Sequence, residues 1–298
     1  WGDYNNFLAG RRLGLERSQV IFSHPIHYGL FCASMISLAF VGFKGIAGPF
    51  KRLLVSALIC VGVICSVSSG AILPMILQFC LAFWAWIFNR LQSRWLILSG
   101  LVAICYVIVD MISNRSPITV FMSYAALSAE TAYARVHIFE WGMNNVWKNP
   151  FIGIGMNEWE RPYWKSASMD NFWLLTTVRY GIPGFFMLAA SYLSVVWIAM
   201  RRDLGDRGSV WQFRRAWAFM QVGMILTLAT VDVWSTALSY VFFLLGSGAW
   251  LGLAQPDAVL AREAVDQTAA LRAPTAANYT RFAVRRGRQG PDMKLNNR

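Results

Sequence analysis

The sequence predicts an all-α protein, a polytopic transmembrane helical bundle of about seven spans with one long helical loop outside the membrane. Three observations predict it. Of 298 residues, 56% are hydrophobic and only 14% are charged, whereas a soluble domain carries roughly a quarter charged residues. Apolar runs lie near 25–43, 53–69, 72–88, 95–112, 183–200, 216–232 and 234–253, each close to the roughly 20 helical residues that cross a hydrocarbon layer of about 30 Å. The connections Lys44 to Arg52, Asn89 to Arg94 and Arg201 to Arg215 are rich in Lys and Arg, and alternation of the spans puts all three on one side.

That side is the cytoplasm by the positive-inside rule. The chain then divides into a segment 1–24 on the opposite face, four spans within 25–112, a large loop 113–182 on that same outer face, three spans within 183–253, and a basic cytoplasmic tail 254–298. From Pro256 the tail is rich in Ala, Arg, Gln and Pro, a composition that cannot repay the entropy of ordering. It is expected to be disordered, with Arg285, Arg286 and Arg288 meeting anionic lipid. The chain starts at Trp1 with no initiator Met, basic start or small-residue cleavage site, so no signal peptide is expected and the sequence reads as the C-terminal part of a longer protein.

Several function classes are disfavoured. Cys32, Cys60, Cys65, Cys80 and Cys105 lie inside apolar runs, where sulfur packs as a small hydrophobe, so neither disulfides nor a metal site are expected. The net charge of +12 is accounted for by membrane orientation, and no nucleic-acid partner is expected. No Walker A or dinucleotide fingerprint occurs, and no cofactor is expected.

The loop of about 70 residues is far longer than a connector needs. Within it, "AETAYARVHIFEWGMNNVWKNP" reads as a helix: Val136, Phe139, Met143 and Val146 with Trp147 recur at spacings of three and four, and Pro150 ends it. Gly153 and Gly155 then punctuate a turn. A second helix is expected to begin at Asp170, run to Tyr180, break at "GIPG" and enter the membrane near 183, which leaves Phe172 to Tyr180 at the interface.

Arginines stand on the side where topology does not call for them: Arg11, Arg12 and Arg17, then Arg115, Arg135 and Arg179. A plain reading has them snorkel or pair with Glu16, Glu130, Glu140 or Glu158. A sharper one has guanidinium forks grip an anionic substrate, with Arg17 and Arg135 as candidates for a pyrophosphate and Arg179 as a third. Asp170 before an apolar helix reads both as an N-cap and as a carboxylate facing a substrate. His24 and His27, flanking Pro25, are alternative bases or hydrogen-bonded structural residues. His137 is expected to pair with Glu140. Asp110 and Asp232, near span ends, belong either to a polar cavity or among headgroups.

The segments "ARVHIFEWGMNNVWKNPFIGIGMNEW", "DNFWLLTTVRYGIPGF", "ERSQVIFSHPIHYGLF" and "SVSSGA" together resemble the O-antigen ligase and O-antigen polymerase family over roughly residues 11–200. The resemblance implies a multi-pass glycosyltransferase of the bacterial inner membrane with its active site facing the periplasm. Such enzymes move a glycan from undecaprenyl pyrophosphate to a sugar hydroxyl, on another glycan or on lipid A-core, without metal or nucleotide sugar and with inversion. On that pattern Arg17 and Arg135, with Arg179, hold pyrophosphate, Asp170 orients or deprotonates the acceptor, and Asn171 assists. Two departures stand out: Asp170 takes the place of the family's loop histidine, and Ser69 that of an arginine in its Ser-Arg-Gly turn. A flippase of lipid-linked oligosaccharide and a noncatalytic glycan-lipid-binding relative are the alternative readings.

Overall fold

The computed structural model describes residue 12 and residues 14–164, 168–202, 204 and 208–255, and every regular element among them is a helix. The expected tail from Pro256 onward and Arg11 lie outside the described residues. In chain order the helices are α1 (Pro25–Ser37, continued by a π turn over Leu38–Gly42), α2 (Pro49–Cys65), α3 (Ser69–Ile87), α4 (Arg94–Ile112), α5 (Pro117–Tyr124), α6 (Ala129–Lys148), α7 (Phe172–Arg201), α8 (Ser209–Leu228), α9 (Ser235–Gly246) and α10 (Ala249–Leu253).

Each of the seven expected spans is helical over most of its length. Five helical stretches of the described residues are long and apolar enough to cross a membrane: α1 with its π turn, α3, α4, α7, and α9 with α10. The other two expected spans are shorter or more polar. α2 has 17 residues, and α8 carries Gln212, Arg214 and Arg215 in its first half. The last turn of the expected span 216–232 is also absent, since α8 stops at Leu228 and leaves Asp232 in an irregular connection.

Helices α1, α3 and α8 pack mutually and form the centre, with α2 against α1. Val41, Leu81, Ala85, Ala216 and Phe219 fill one layer and Ala33, Ile36, Val63, Ala71 and Met75 another. By contrast α4 has no buried residue. An apolar helix exposed all round is at home only in lipid.

At the centre, Gln78 enters the backbone of α1. Its Nε2 donates to the Ala33 carbonyl (2.9 Å) and its Oε1 accepts from the Ser37 N–H (3.2 Å), the two groups that would otherwise bond to each other across one helical turn. The inserted amide opens α1 just before the π turn begins. Gly223 of α8 makes room for it, because a Cβ there would stand 2.9 Å from Gln78 Nε2.

The loop forms its own layer. α6 spans the expected helix and ends at Lys148, with Asn149 as C-cap ahead of Pro150. Its buried face packs on the start of α7 through Ile138, Val146, Leu174 and Val178, with Trp159 and Met169 from the intervening segment. The break expected at "GIPG" is present: Gly181 has φ 72° and ψ −179° inside α7. Pro183 has no N–H to offer the Arg179 carbonyl, and the Ile182 N–H turns to the Pro150 carbonyl (2.7 Å). The glycine turn supplies the missing donors, Ile154 N–H to Val178 O and Gly155 N–H to Arg179 O, both at 2.9 Å. This approach requires Gly153 and Gly181, since a Cβ on either would meet the other strand's backbone at 2.5 Å.

Gly223→Ala is expected to lower the thermal midpoint of the purified protein by several degrees by expelling the Gln78 amide. Because both changes break one interaction, adding Gln78→Ala to it should cost less than the sum of the two single changes. Additive costs in a double-mutant cycle would show that the two residues act separately.

Candidate functional site

Five segments meet at one end of the bundle: residues 14–24 with Arg12, the turn Ser66–Ser69 between α2 and α3, helix α6, the residues that open α7, and the connection 229–234 between α8 and α9. Hydrogen bonds lace them together. Ser18 N–H bonds to the Cys65 carbonyl (2.9 Å) and Phe172 N–H to the Val231 carbonyl (3.2 Å). Among the described residues, the non-glycine residues with positive φ are Val20, Val67 and Ser235, at 52°, 44° and 52°. Each lies in or beside one of these segments, and for β-branched valine this conformation is a real strain of the kind that surrounding structure must hold in place.

The turn Ser66–Ser69 collects the two leading arginine candidates. Arg17 donates from Nε to the Ser66 carbonyl (2.9 Å), and Arg135, 7% exposed, donates from Nη2 to Ser69 Oγ (3.2 Å). Further donors are unspent: among the described residues Arg17 Nη2, Arg135 Nε and Arg135 Nη1 have no hydrogen-bond partner, and all three are buried. Burial, with the nearby Arg12 charge, pushes the Arg17 pKa down to about 10, so it stays a cation at neutral pH. Burial and Arg12 also push Arg135 down, while the Asp170 carboxylate acts in the opposite direction. Buried guanidinium donors without an acceptor are costly, and the cost is relieved by an anion that brings its own oxygens.

Asp170 does not cap α7. The helix starts two residues later than expected, and Asn171 is the cap, its Oδ1 accepting from the Leu174 N–H (3.0 Å). The Asp170 carboxylate is left to face Arg135 across a cavity of about 10 Å³, lined also by Asn171, Leu174, Ala229 and Thr230. That volume accepts about one water-sized group.

Behind Asp170 stands a carboxylate that the sequence reading left among two alternatives. Asp232 Oδ1 is buried without a partner. Its pKa is pushed up to about 6, by burial first and by the Asp170 charge, against the lowering effects of the Val233 N–H and of Arg179. Arg179 therefore bears on Asp232. The signal for Asp232 in the sequence is a lone carboxylate in an otherwise apolar run.

Each histidine has a polar neighbour. His24 is the N-cap of α1, its Nδ1 accepting from the Ile26 N–H (3.1 Å), which puts the ring proton on Nε2. Burial, then Arg17, His27 and Arg12, push its pKa down to about 4. His27, 2% exposed, packs 4.3 Å from the Trp234 ring, with Nδ1 3.4 Å from Ser23 Oγ. His137 lies 3.3 Å from Glu140 as expected, away from these groups.

A polar site rich in cations, set at one end of a bundle of membrane-spanning helices, defines an all-α polytopic membrane protein. The family model for O-antigen ligase matches residues 54–189, from α2 through the break in α7. The matched segment takes in the Ser66–Ser69 turn, Arg135, Asp170, Asn171 and Arg179. Over that stretch the chain is similar to the O-antigen ligase family, a likeness that supports a part in the assembly of surface polysaccharide. No curated protein shows a significant match to the sequence.

Because burial raises the Asp232 pKa from 3.8 to about 6, the folded protein holds a proton there that the unfolded chain has released. Stability contributed by the protonated form is thus present below about pH 4 and lost as pH rises toward about 6. Asp232→Asn is expected to raise the thermal midpoint at pH 7.5 by roughly 2 to 4 °C and to flatten the slope across that window. A slope unchanged by the substitution would remove Asp232 as its source.

Proposed function

We propose that the protein transfers or polymerises a glycan from an undecaprenyl-pyrophosphate carrier onto a sugar hydroxyl, in the bacterial inner membrane and on its periplasmic face. The acceptor is another glycan or lipid A-core. One observation carries this reading: unspent, buried guanidinium donors adjoin a large apolar groove. The groove, about 1020 Å³, runs between α4, α5, α7 and α8, and Met122, Phe139, Asn171, Leu174 and Ala229 line both it and the small polar cavity. Phe186, Leu193, Val102 and Tyr106 on its walls are more than half exposed, so it opens toward lipid. A ligand with an anionic head and a long apolar tail matches the pair.

The family likeness supports direct displacement. The acceptor oxygen attacks the anomeric carbon from the face opposite the leaving group, and the bond from that carbon to the pyrophosphate oxygen breaks. The leaving oxygen keeps the electron pair, and the sugar inverts. Arg17 and Arg135, with Arg179 further off, oppose the growing negative charge, where one lost donor typically costs about 3 to 4 kcal/mol of barrier. The acceptor proton passes to Asp170, a step for which a placed base gives roughly 10² to 10⁴ in rate. Asp232, held near 6, suits a proton store close to neutral pH better than an ordinary carboxylate. Asn171 assists chiefly by capping α7, which fixes the residue before it.

In vesicles loaded with a labelled lipid-linked glycan, the complete protein is expected to elongate or transfer label on one side of the membrane. Arg135→Ala and Asp170→Ala should each lower that rate by at least about 100-fold, while Asn171→Ala should mainly cost stability, about 1 kcal/mol. Full activity in both of the first two variants would overturn the residue assignment. Label crossing the bilayer without elongation would mark a flippase.

A further inference from the structure

The opposite end of the bundle holds a second group of cations that the transfer reading does not use. Arg94 opens α4 and Arg215 lies in the second turn of α8, and the two are close enough for their charges to repel. Each is held by aromatic faces. The Arg215 guanidinium lies 4.3 Å from the Trp211 ring centroid and 5.8 Å from that of Phe219, and Arg94 lies 5.6 Å from Trp95. Trp95 and Phe219 in turn pack edge to face at 5.6 Å, joining the two arginines through one aromatic stack.

This stack is short of acceptors. Among the described residues neither buried Nε atom has a hydrogen-bond partner, and the Arg94 Nη1 bond to the Asn89 carbonyl is long, at 3.3 Å. The ion pairs among the described residues involve neither arginine. At the same place the first turn of α4 presents its N–H groups, and its cap residue Ser93 makes no side-chain bond to them. Two like charges oriented by aromatic walls, with free donors and a positive helix end beside them, form a site for a multivalent oxygen anion. Their level in the bundle, at the ends of the spanning helices α4 and α8, is that of lipid headgroups.

We propose that Arg94 and Arg215 clamp the phosphate of an anionic phospholipid at the basic end of the bundle. Gln212, one turn before Arg215, has a buried Oε1 without a partner, and it accepts from a headgroup hydroxyl such as that of phosphatidylglycerol. The lipid bridges α4, which has no buried residue of its own, to the packed centre at α8. This site is independent of the glycan-transfer reading.

The test uses the purified full chain in a neutral detergent, with phosphatidylglycerol, phosphatidylcholine or inorganic phosphate added in separate arms. Native mass spectrometry should show phosphatidylglycerol retained in preference to phosphatidylcholine, and the thermal midpoint should rise with phosphatidylglycerol alone. Arg94→Gln with Arg215→Gln should weaken retention about tenfold or more, whereas Arg90→Gln, at an exposed position of the same end, should not. Should the double variant fail to fold, Arg215→Lys keeps the charge, loses the fork, and is expected to bind less tightly than wild type. Equal retention by wild type and Arg215→Lys and by the double variant would overturn the site. Stabilisation by inorganic phosphate with no lipid preference would overturn the lipid assignment.

Discussion

A membrane helix that breaks must find new partners for the backbone groups it frees, because lipid offers none. At Gly181 and Pro183 that requirement fastens the loop to the bundle. The carbonyls of Val178 and Arg179 accept from Ile154 and Gly155, and Ile182 donates to Pro150. The turn that meets this demand begins directly after α6, so the same three bonds fix where α6 ends and hence how its buried face lies on α7. Arg135, on α6, and Asp170, just ahead of α7, face one another because two helices were pinned at their far ends. Backbone satisfaction near the membrane boundary thereby sets the spacing of charges in the polar site.

The site itself is assembled against its own preferences. Arg12 repels both Arg17 and Arg135, Asp170 and Asp232 repel each other, and three non-glycine residues hold left-handed conformations around them. Nothing local favours this arrangement. It persists because the surrounding helices are packed and stitched from within, as by Gln78 between α1 and α3, and because each carboxylate is answered by a cation, Asp170 by Arg135 and Asp232 by Arg179. Such stored cost is what an incoming anion can relieve, which is the difference between a binding surface and an inert one.

Much of this was legible in the sequence where physics acts locally. Apolar runs located the spans, spacings of three and four found α6, and Gly with Pro marked the break in α7. What escaped depended on distant partners. Asp170 and Asn171 are both good caps, and the choice falls to Asn171 in a segment where the Phe172 N–H is already taken by Val231. Asp232 reads as part of a span because Val231, Val233 and Trp234 surround it, yet α8 ends at Leu228. Ser69 stands where the resemblance puts an arginine, yet its hydroxyl receives Arg135 from 66 residues away. Gln78 carries no signal at all until α1 is seen opened around it.

The groove between α4 and α8 has one more implication. Its exposed walls belong to lipid-facing helices, so whatever fills it travels within the bilayer and never crosses bulk water. Supply is then a surface density, set by how many molecules share each patch of membrane. Water-borne competitors meet only the polar end, and saturation in a cell depends on membrane area as much as on the amount of ligand made.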